Sequence, residues 1–228
     1  MSTDGHFQVL GSITRTTRRE LILDRLRAAV TSGQIPPGTH LGEAELSAQL
    51  GVSRGTLREA LRHLQEEGLL SKDSRGRLSV RVVSPDEVGE IFAVRYALES
   101  LAIALVCERE DLPAIGKTLS AALAKLQQSE MDTLDAQVAA DLAFHEAICV
   151  ASGNRTLVDS WRRVSGLARA TITAAGRETA RENMSAARHA PILDAIVSGD
   201  AAEATAVLRE HNDVARARIV ANLTAGAS

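Results

Sequence analysis

Only one stretch of this 228-residue chain abandons the helical spacing of its apolar residues. Between Leu69 and Val83 the period becomes that of strands. Two short β-prone runs, Leu69-Leu70-Ser71 and Leu78 to Val83, flank the polar turn Lys72-Asp73-Ser74-Arg75-Gly76-Arg77 and read as a hairpin. The chain on both sides reads as helix. Hydrophobic residues make up 45% and aromatic residues only 2%, a balance that favours helices over a β-sandwich. The expected fold class is therefore mainly α, in a chain long enough for two small domains with a core each.

Before the hairpin, a helix is expected from about Thr16 to Ser32, its apolar stripe formed by Leu21, Ile22, Leu26, Ala29 and Val30, with Gly33 as its stop. Pro36-Pro37-Gly38 is a turn, and a short helix over 43–50 is broken by Gly51-Val52. Ser53 can cap a third helix that Gly68 ends, in which Leu57, Ala60, Leu61 and Leu64 share one face. Two short helices around a glycine break, then a hairpin, are the parts of a winged helix-turn-helix. It is assigned to residues 13–84, behind a polar arm over 1–12 that is expected to fray. Ser84-Pro85 opens the remainder. Helices are expected at about 86–109, 111–128, 132–151, 155–175, 183–198 and 201–221, and short loops between six helices imply an antiparallel bundle over 85–222.

Charge divides along the same line. Residues 1–84 hold 12 Lys+Arg against 9 Asp+Glu, whereas 85–228 hold 14 against 20, so the first part is the one suited to nucleic acid. Cys107 and Cys149 lie in apolar helical surroundings without CxxC spacing, which fits free thiols in a reducing compartment. No apolar run follows the early basic residues, and Leu101 to Cys107 is too short to span a bilayer. A soluble cytoplasmic protein is expected, without a membrane partner.

The third helix carries Arg54, Arg58 and Arg62 at four-residue spacing, and its first turns suit a major groove, where arginine donates twice to guanine. In the hairpin, Arg75 and Arg77 flank Gly76, which lets backbone approach a sugar-phosphate wall. An arginine stripe is also what a solvated helix face looks like. The run LGEAELSAQLGVSRGTLREALRHLQEEGLL, Leu41 to Leu70, with Ile35-Pro36-Pro37-Gly38 before it and Arg75-Gly76 after it, resembles the DNA-binding domain of the GntR family of bacterial regulators. The family stretch SR-x-x-V/L-R-E-A-L stands here as Ser53 to Leu61, with Thr56 where members often carry proline. The resemblance implies that Arg54 and Arg58 contact DNA and that Gly76 sits at the wing tip; Thr56, Arg62, Arg75 and Arg77 are assigned to the same interface.

In the second half, Asp141 and His145 are one helical turn apart, and His189 and His211 lie on two later helices that a bundle can bring to the same interior. One carboxylate and three imidazoles suit Zn²⁺, Ni²⁺, Mn²⁺ or Fe²⁺ with open positions for a ligand. Taken singly, each histidine also suits a core or surface position. Asp141-Leu142-Ala143-Phe144-His145 with Gly153-Asn154 resembles the D-x-x-F-H…G-N signature of the FCD ligand-binding domain, which defines the FadR-type branch of the GntR regulators. His189 to Ile196 with Gly199-Asp200 is similar to its H-x-x-I-x-x-A-I-x-x-G-D stretch, and His211 stands where its last histidine is expected. Arg188 departs from the glutamate that many members carry. The resemblance implies a metal, Zn or Ni first, on Asp141, His145, His189 and His211. Six expected helices look like the shorter VanR-type variant, which takes a metal and a small carboxylate, whereas FadR itself binds acyl-CoA.

Arg95 sits among apolar neighbours, where a lone cation is costly to bury unless it meets an anion. The resemblance places an effector-binding arginine here, and Asn154 falls in the same signature, so both are assigned to the effector; the other reading of Arg95 is an internal pair with Glu99. Cys149 is one turn beyond His145 and suits packing. Trp161, Arg162 and Arg163 suit either the pocket or a dimer face. The leading expectation is a homodimeric regulator, a repressor, that reads a near-palindromic double-stranded operator under control of a small organic acid. A sensor of the metal itself is the first alternative. A metal-dependent hydrolase or lyase is the second, disfavoured because His145-Glu146 lacks the second histidine of HExxH.

Overall fold

The computed structural model describes residues 18–175 and 177–225. The arm over 1–12 and the expected helix start at Thr16 lie outside them. The first domain is built from α1 (Arg18–Thr31), α2 (Glu43–Leu50), α3 (Arg54–Glu66) and the hairpin β1 (Leu70–Lys72) and β2 (Leu78–Val80). The strands are antiparallel, with Leu70 opposite Val80 and Lys72 opposite Leu78. Gly51, at φ 61°, ends α2 in the left-handed conformation that a residue with a Cβ resists. The Ser53 hydroxyl then accepts from the Thr56 amide at 3.1 Å to start α3. Leu57, Ala60, Leu61 and Leu64 are buried together as their spacing requires, and with Ile22, Leu26 and Val30 of α1 they form a core of their own.

The second core belongs to seven helices: α4 (Pro85–Cys107), α5 (Leu112–Ser129), α6 (Leu134–Ala151), α7 (Arg155–Ala174), α8 (Arg177–Asn183), α9 (Ala186–Ser198) and α10 (Ala201–Ala225). The whole is mainly α, a winged helix-turn-helix followed by a helical bundle. Ser84 caps α4, its hydroxyl accepting from the Glu87 amide at 3.2 Å with Pro85 in the first turn. α4 lies centrally, packed on α6, α7 and α10, while α9 is held between α5 and α10.

The count of six helices is corrected to seven. α8 occupies a stretch expected to be loop, because Glu178 to Glu182 are mostly good helix formers and Ala180, with Met184 just beyond, is buried in the core. α9 starts anew at Ala186, whose amide donates to Glu130 Oε1 at 2.7 Å, a cap supplied by a distant residue.

The first domain rests on α7. Gly68 has φ +74°, and a Cβ there would come within 2.6 Å of the Gly166 carbonyl oxygen, so the two backbones touch directly. Beside this contact Arg27 of α1 donates to both oxygens of Glu67 at 2.9 and 2.7 Å, and Arg169 of α7 to Asp135 at 2.9 Å.

Candidate DNA interface and metal centre

Arg54, Arg58 and Arg62 all lie exposed on α3. Arg58 donates to Glu43 Oε2 from Nε at 3.2 Å and from an outer nitrogen at 3.0 Å, and that bond raises its pKa. Arg62 is bracketed by Glu59 at 3.1 Å and by Glu66. The Thr56 hydroxyl is 2.8 Å from that of Ser53, so it serves the helix start as well as the exposed face. At the wing tip, Asp73 Oδ1 accepts from the amides of Arg75 and Arg77 at 2.9 and 2.8 Å, and its Oδ2 takes Arg77 Nε at 2.7 Å. These bonds, the Arg77 amide first, hold the Asp73 carboxyl below its ordinary range. Gly76, at φ 75°, closes the turn. Arg58, Arg62 and Arg77 thus carry internal carboxylate partners, whereas no ion pair is found for Arg54 or Arg75 among the described residues.

The bundle brings the three histidines together: His145, His189 and His211 each offer one ligand atom within 4.8 Å of the others, and all three are buried. Asp141 joins at the edge, its Oδ1 3.0 Å from His189 Nε2. What fixes the imidazoles is the outer ring of bonds. His145 Nδ1 lies 2.7 Å from Glu99 Oε2 and His189 Nδ1 lies 2.9 Å from the Ser185 carbonyl oxygen. Burial would raise the Glu99 carboxyl, but the charges of His145 and Arg95 outweigh it and hold the acid well below the carboxylate range. An ionised carboxylate and a carbonyl can only accept, so both Nδ1 atoms carry protons and both Nε2 atoms face the cluster.

Those two Nε2 atoms are 3.2 Å apart, with Asp141 against one of them. Two imidazole nitrogens and a carboxylate that close in a dry interior need a cation between them, either a proton or a metal. The third imidazole adds to the argument, because His211 Nδ1 is buried with no hydrogen-bond partner, and burial among other imidazoles pushes its pKa well down into the neutral, ligating form. Burial also opposes ionisation of Asp141, yet the hydrogen bond that His189 Nε2 donates to it, a proton standing where a metal would, prevails and holds it at about 2. Phe144 sets its ring edge-on to both His145 and His189, at 5.6 and 5.3 Å between centroids. The donor set fits a divalent metal.

Arg95 is 2% exposed beneath this cluster, its Nε donating to Glu99 Oε1 at 3.2 Å and its guanidinium 5.3 Å from the Phe92 ring centre. The internal pair with Glu99 is therefore present. Asn154 stands apart, at the start of α7, where its Oδ1 accepts from the Leu157 amide at 3.1 Å as the helix cap. Trp161 is buried and its indole N–H donates to Glu99 Oε1 at 3.0 Å, whereas Arg162 and Arg163 are exposed and Arg162 pairs with Glu146 at 2.6 Å. Glu99 is the residue that sequence reasoning undervalued. Its signal was its place one turn from Arg95 in an otherwise apolar helix. Burial moves the Cys149 thiol far up, consistent with packing.

Residues 18–80 match the family described as bacterial regulatory proteins, gntR family, and residues 90–214 match the FCD domain. The chain belongs to the GntR family. Its branch is the one with an FCD domain, and GntR proteins of this kind are DNA-binding transcription regulators rather than enzymes. A Bacillus subtilis (strain 168) relative, "Uncharacterized HTH-type transcriptional regulator YdhC", is 31% identical over 147 residues, 63% of this chain and 65% of its own length. A Paenarthrobacter nicotinovorans relative, "Probable D-xylose utilization operon transcriptional repressor", is 29% identical over 87% of both chains. The structure of E. coli McbR/YncC has the same fold, with a TM-score of 0.65 at 24% identity over 90% of this chain and 98% of that one. Among the described residues no helix of this GntR regulator is long and apolar enough to cross a membrane.

Proposed function

We propose that this regulator is a cytoplasmic, homodimeric repressor whose operator affinity is set by a small carboxylate, bound between a divalent metal and Arg95. One observation carries the reading: two imidazoles, each locked at Nδ1, bring their Nε2 atoms within 3.2 Å of each other beside the Asp141 carboxylate. Asp141, His145, His189 and His211 would hold the metal, Zn or Ni first. When bound, the metal supplies positive charge and open positions for an acid, and the outer nitrogens of Arg95 are the second anchor. The effector must favour one arrangement of the DNA-binding domains over another, since equal affinities would shift nothing. The sign of regulation follows the relative named as a repressor.

The test is a thermal-melt screen of the metal-loaded chain against small carboxylates, repeated with chelator. A ligand at a hundredfold its Kd adds about 2.7 kcal/mol, and the reading requires a hit that chelation abolishes. A second reading, a sensor of the metal alone, draws on the Arg95–Glu99 pair, which already gives that arginine an anion. It requires that metal titration by itself changes operator affinity.

On the DNA side, α3 enters the major groove with Arg54, Thr56, Arg58 and Arg62, and the wing presents Arg75, Gly76 and Arg77 to the backbone, one protomer per half-site. Arg58 must leave Glu43 to reach a base. Arg58→Ala is expected to lose about 1–3 kcal/mol of specific binding, read by gel-shift titration on duplexes selected from a random pool. Glu43→Gln, which releases the guanidinium and removes a negative charge, should tighten binding to DNA of any sequence. Unchanged affinity and preference in Arg58→Ala would remove that residue from the reader.

The dimer is assigned to α4. It is apolar nearly all round, yet Val94 and Leu101 are each 48% exposed, with Ala97 between them on the same face. A second copy covers such a face by two-fold symmetry. Leu101→Arg is expected to sediment as a monomer; a dimer unchanged at micromolar concentration rules this face out.

A further inference from the structure

We infer that α7 carries the state of the histidine cluster to the DNA-binding domain, entering at Trp161 and leaving at Gly166. The inference rests on the metal reading above. Its input is Glu99, a fully buried carboxylate that takes three donors at once: His145 at 2.7 Å on one oxygen, Trp161 at 3.0 Å and Arg95 at 3.2 Å on the other. One of these donors is a metal ligand, one is the proposed effector clamp, and the third belongs to α7. A displacement of His145 or Arg95 must move Glu99 or strip a buried donor of its acceptor, and Trp161 follows Glu99 because its indole N–H makes no other hydrogen bond among the described residues.

The output lies five residues along the same helix, about 7.5 Å of rigid axis away. Position 166 has no side chain, and a Cβ there would meet the Glu67 carbonyl carbon and oxygen at 2.9 Å. From the other side, a Cβ on Gly68 would meet the Gly166 carbonyl at 2.6 Å. Backbone thus rests on backbone, with no flexible side chain to absorb a shift. Glu67 is the C-cap of α3, the helix whose N-terminal turns bear Arg54 and Arg58. Ala170 and Ala174, one and two turns further along α7, line a small cleft shared with Leu69 and Val80 of the hairpin region. A movement of α7 therefore presses on the end of the recognition helix and the base of the wing together. The competing route is covalent: the chain leaves the wing through Arg81, which pairs with Glu87, and enters α4, the helix of Arg95 and Glu99.

Trp161 is the sole tryptophan of the chain, so its emission reports the input contact without a label. Hydrogen exchange at amides 66–70 reports the output. The probe is Zn²⁺ alone on the full chain, with chelator as the reference and uptake measured first by equilibrium dialysis. Zn²⁺ is expected to shift Trp161 emission and to change exchange at 66–70 by about fivefold or more, the low end of ordinary allosteric coupling. Gly166→Ala should keep Zn²⁺ affinity and the emission shift but lose the exchange response. Trp161→Phe, at saturating Zn²⁺, should lose the exchange response as well. Zn²⁺ uptake without an emission shift, or an emission shift without altered exchange at 66–70 in the unaltered chain, overturns the route. So does either variant responding at 66–70 as the unaltered chain does, which would point to the path through α4. Failure of Zn²⁺ to bind at all defeats the metal reading and this inference together, and is recognised at the dialysis step.

Discussion

His189→Ala is expected to weaken Zn²⁺ binding by about 100- to 1000-fold. A four-ligand zinc site is worth roughly 10–16 kcal/mol in apparent binding free energy, about 2.5–4 kcal/mol per ligand, and each 1.4 kcal/mol is about tenfold. His189 is the member to remove because it touches the rest of the set: Nε2 lies 3.2 Å from His145 and 3.0 Å from Asp141, and its ring centre is 4.5 Å from that of His211. The affinity is read by competition with a chromophoric chelator. Melting gives an independent reading. At a hundredfold excess over Kd the unaltered chain gains about 2.7 kcal/mol, or about 5–10 °C at 2–4 °C per kcal/mol for a chain of this size. The variant gains almost nothing at that concentration. His63→Ala, in the DNA-binding domain beside Glu66, is the control and keeps the full gain. Equal Zn²⁺ affinity in His189→Ala and the unaltered chain would dissolve the metal site.

What sequence could and could not deliver divides along physical lines. Elements set by local rules were legible. The α3 core stripe, the Gly51 break, the Ser53 and Ser84 caps and the return of the wing, shorter than expected at Leu78–Val80, each follow from residues within a turn or two of one another. The gathering of His145, His189 and His211 was legible because few residue types suit such a cluster, and a bundle offers one interior in which to collect them. Contacts with no local signature stayed hidden. Nothing near Glu130 announces that its carboxylate caps α9, and α8 looked like loop for want of a long apolar stripe. Gly166 carries no local sign of the Glu67 carbonyl that lies 2.9 Å from where its Cβ would stand. Glu99 read as a partner for Arg95 alone, since neighbours at |i−j| of 46 and 62 leave no trace in spacing. Asn154, placed in the motif by sequence alone, is also the cap of α7, a local use that its position before Arg155 could have announced.

Glu99→Ala is expected to lower the melting temperature of the metal-free chain by about 6–20 °C. It leaves the buried Arg95 guanidinium, the His145 Nδ1–H and the Trp161 indole N–H without an acceptor. Breaking one partner out of a buried pair costs roughly 3–5 kcal/mol, and a chain of this size melts about 2–4 °C lower per kcal/mol. Glu99→Gln separates that structural share from the share that concerns the metal. The amide keeps the shape and one acceptor, which can serve Trp161 and Arg95, but it turns an N–H₂ toward His145. His145 Nδ1 must then accept, its proton passes to Nε2, and the nitrogen aimed at the cluster can no longer ligate. Glu99→Gln should therefore melt well above Glu99→Ala while binding Zn²⁺ about 10- to 100-fold more weakly than the unaltered chain, the range for loss of a partner behind a metal ligand. Full Zn²⁺ affinity in Glu99→Gln would mean that the carboxylate does not set the tautomer of His145. His145 would then reach the metal whatever its Nδ1 partner, and the argument from its fixed tautomer would fall while the metal site itself stood.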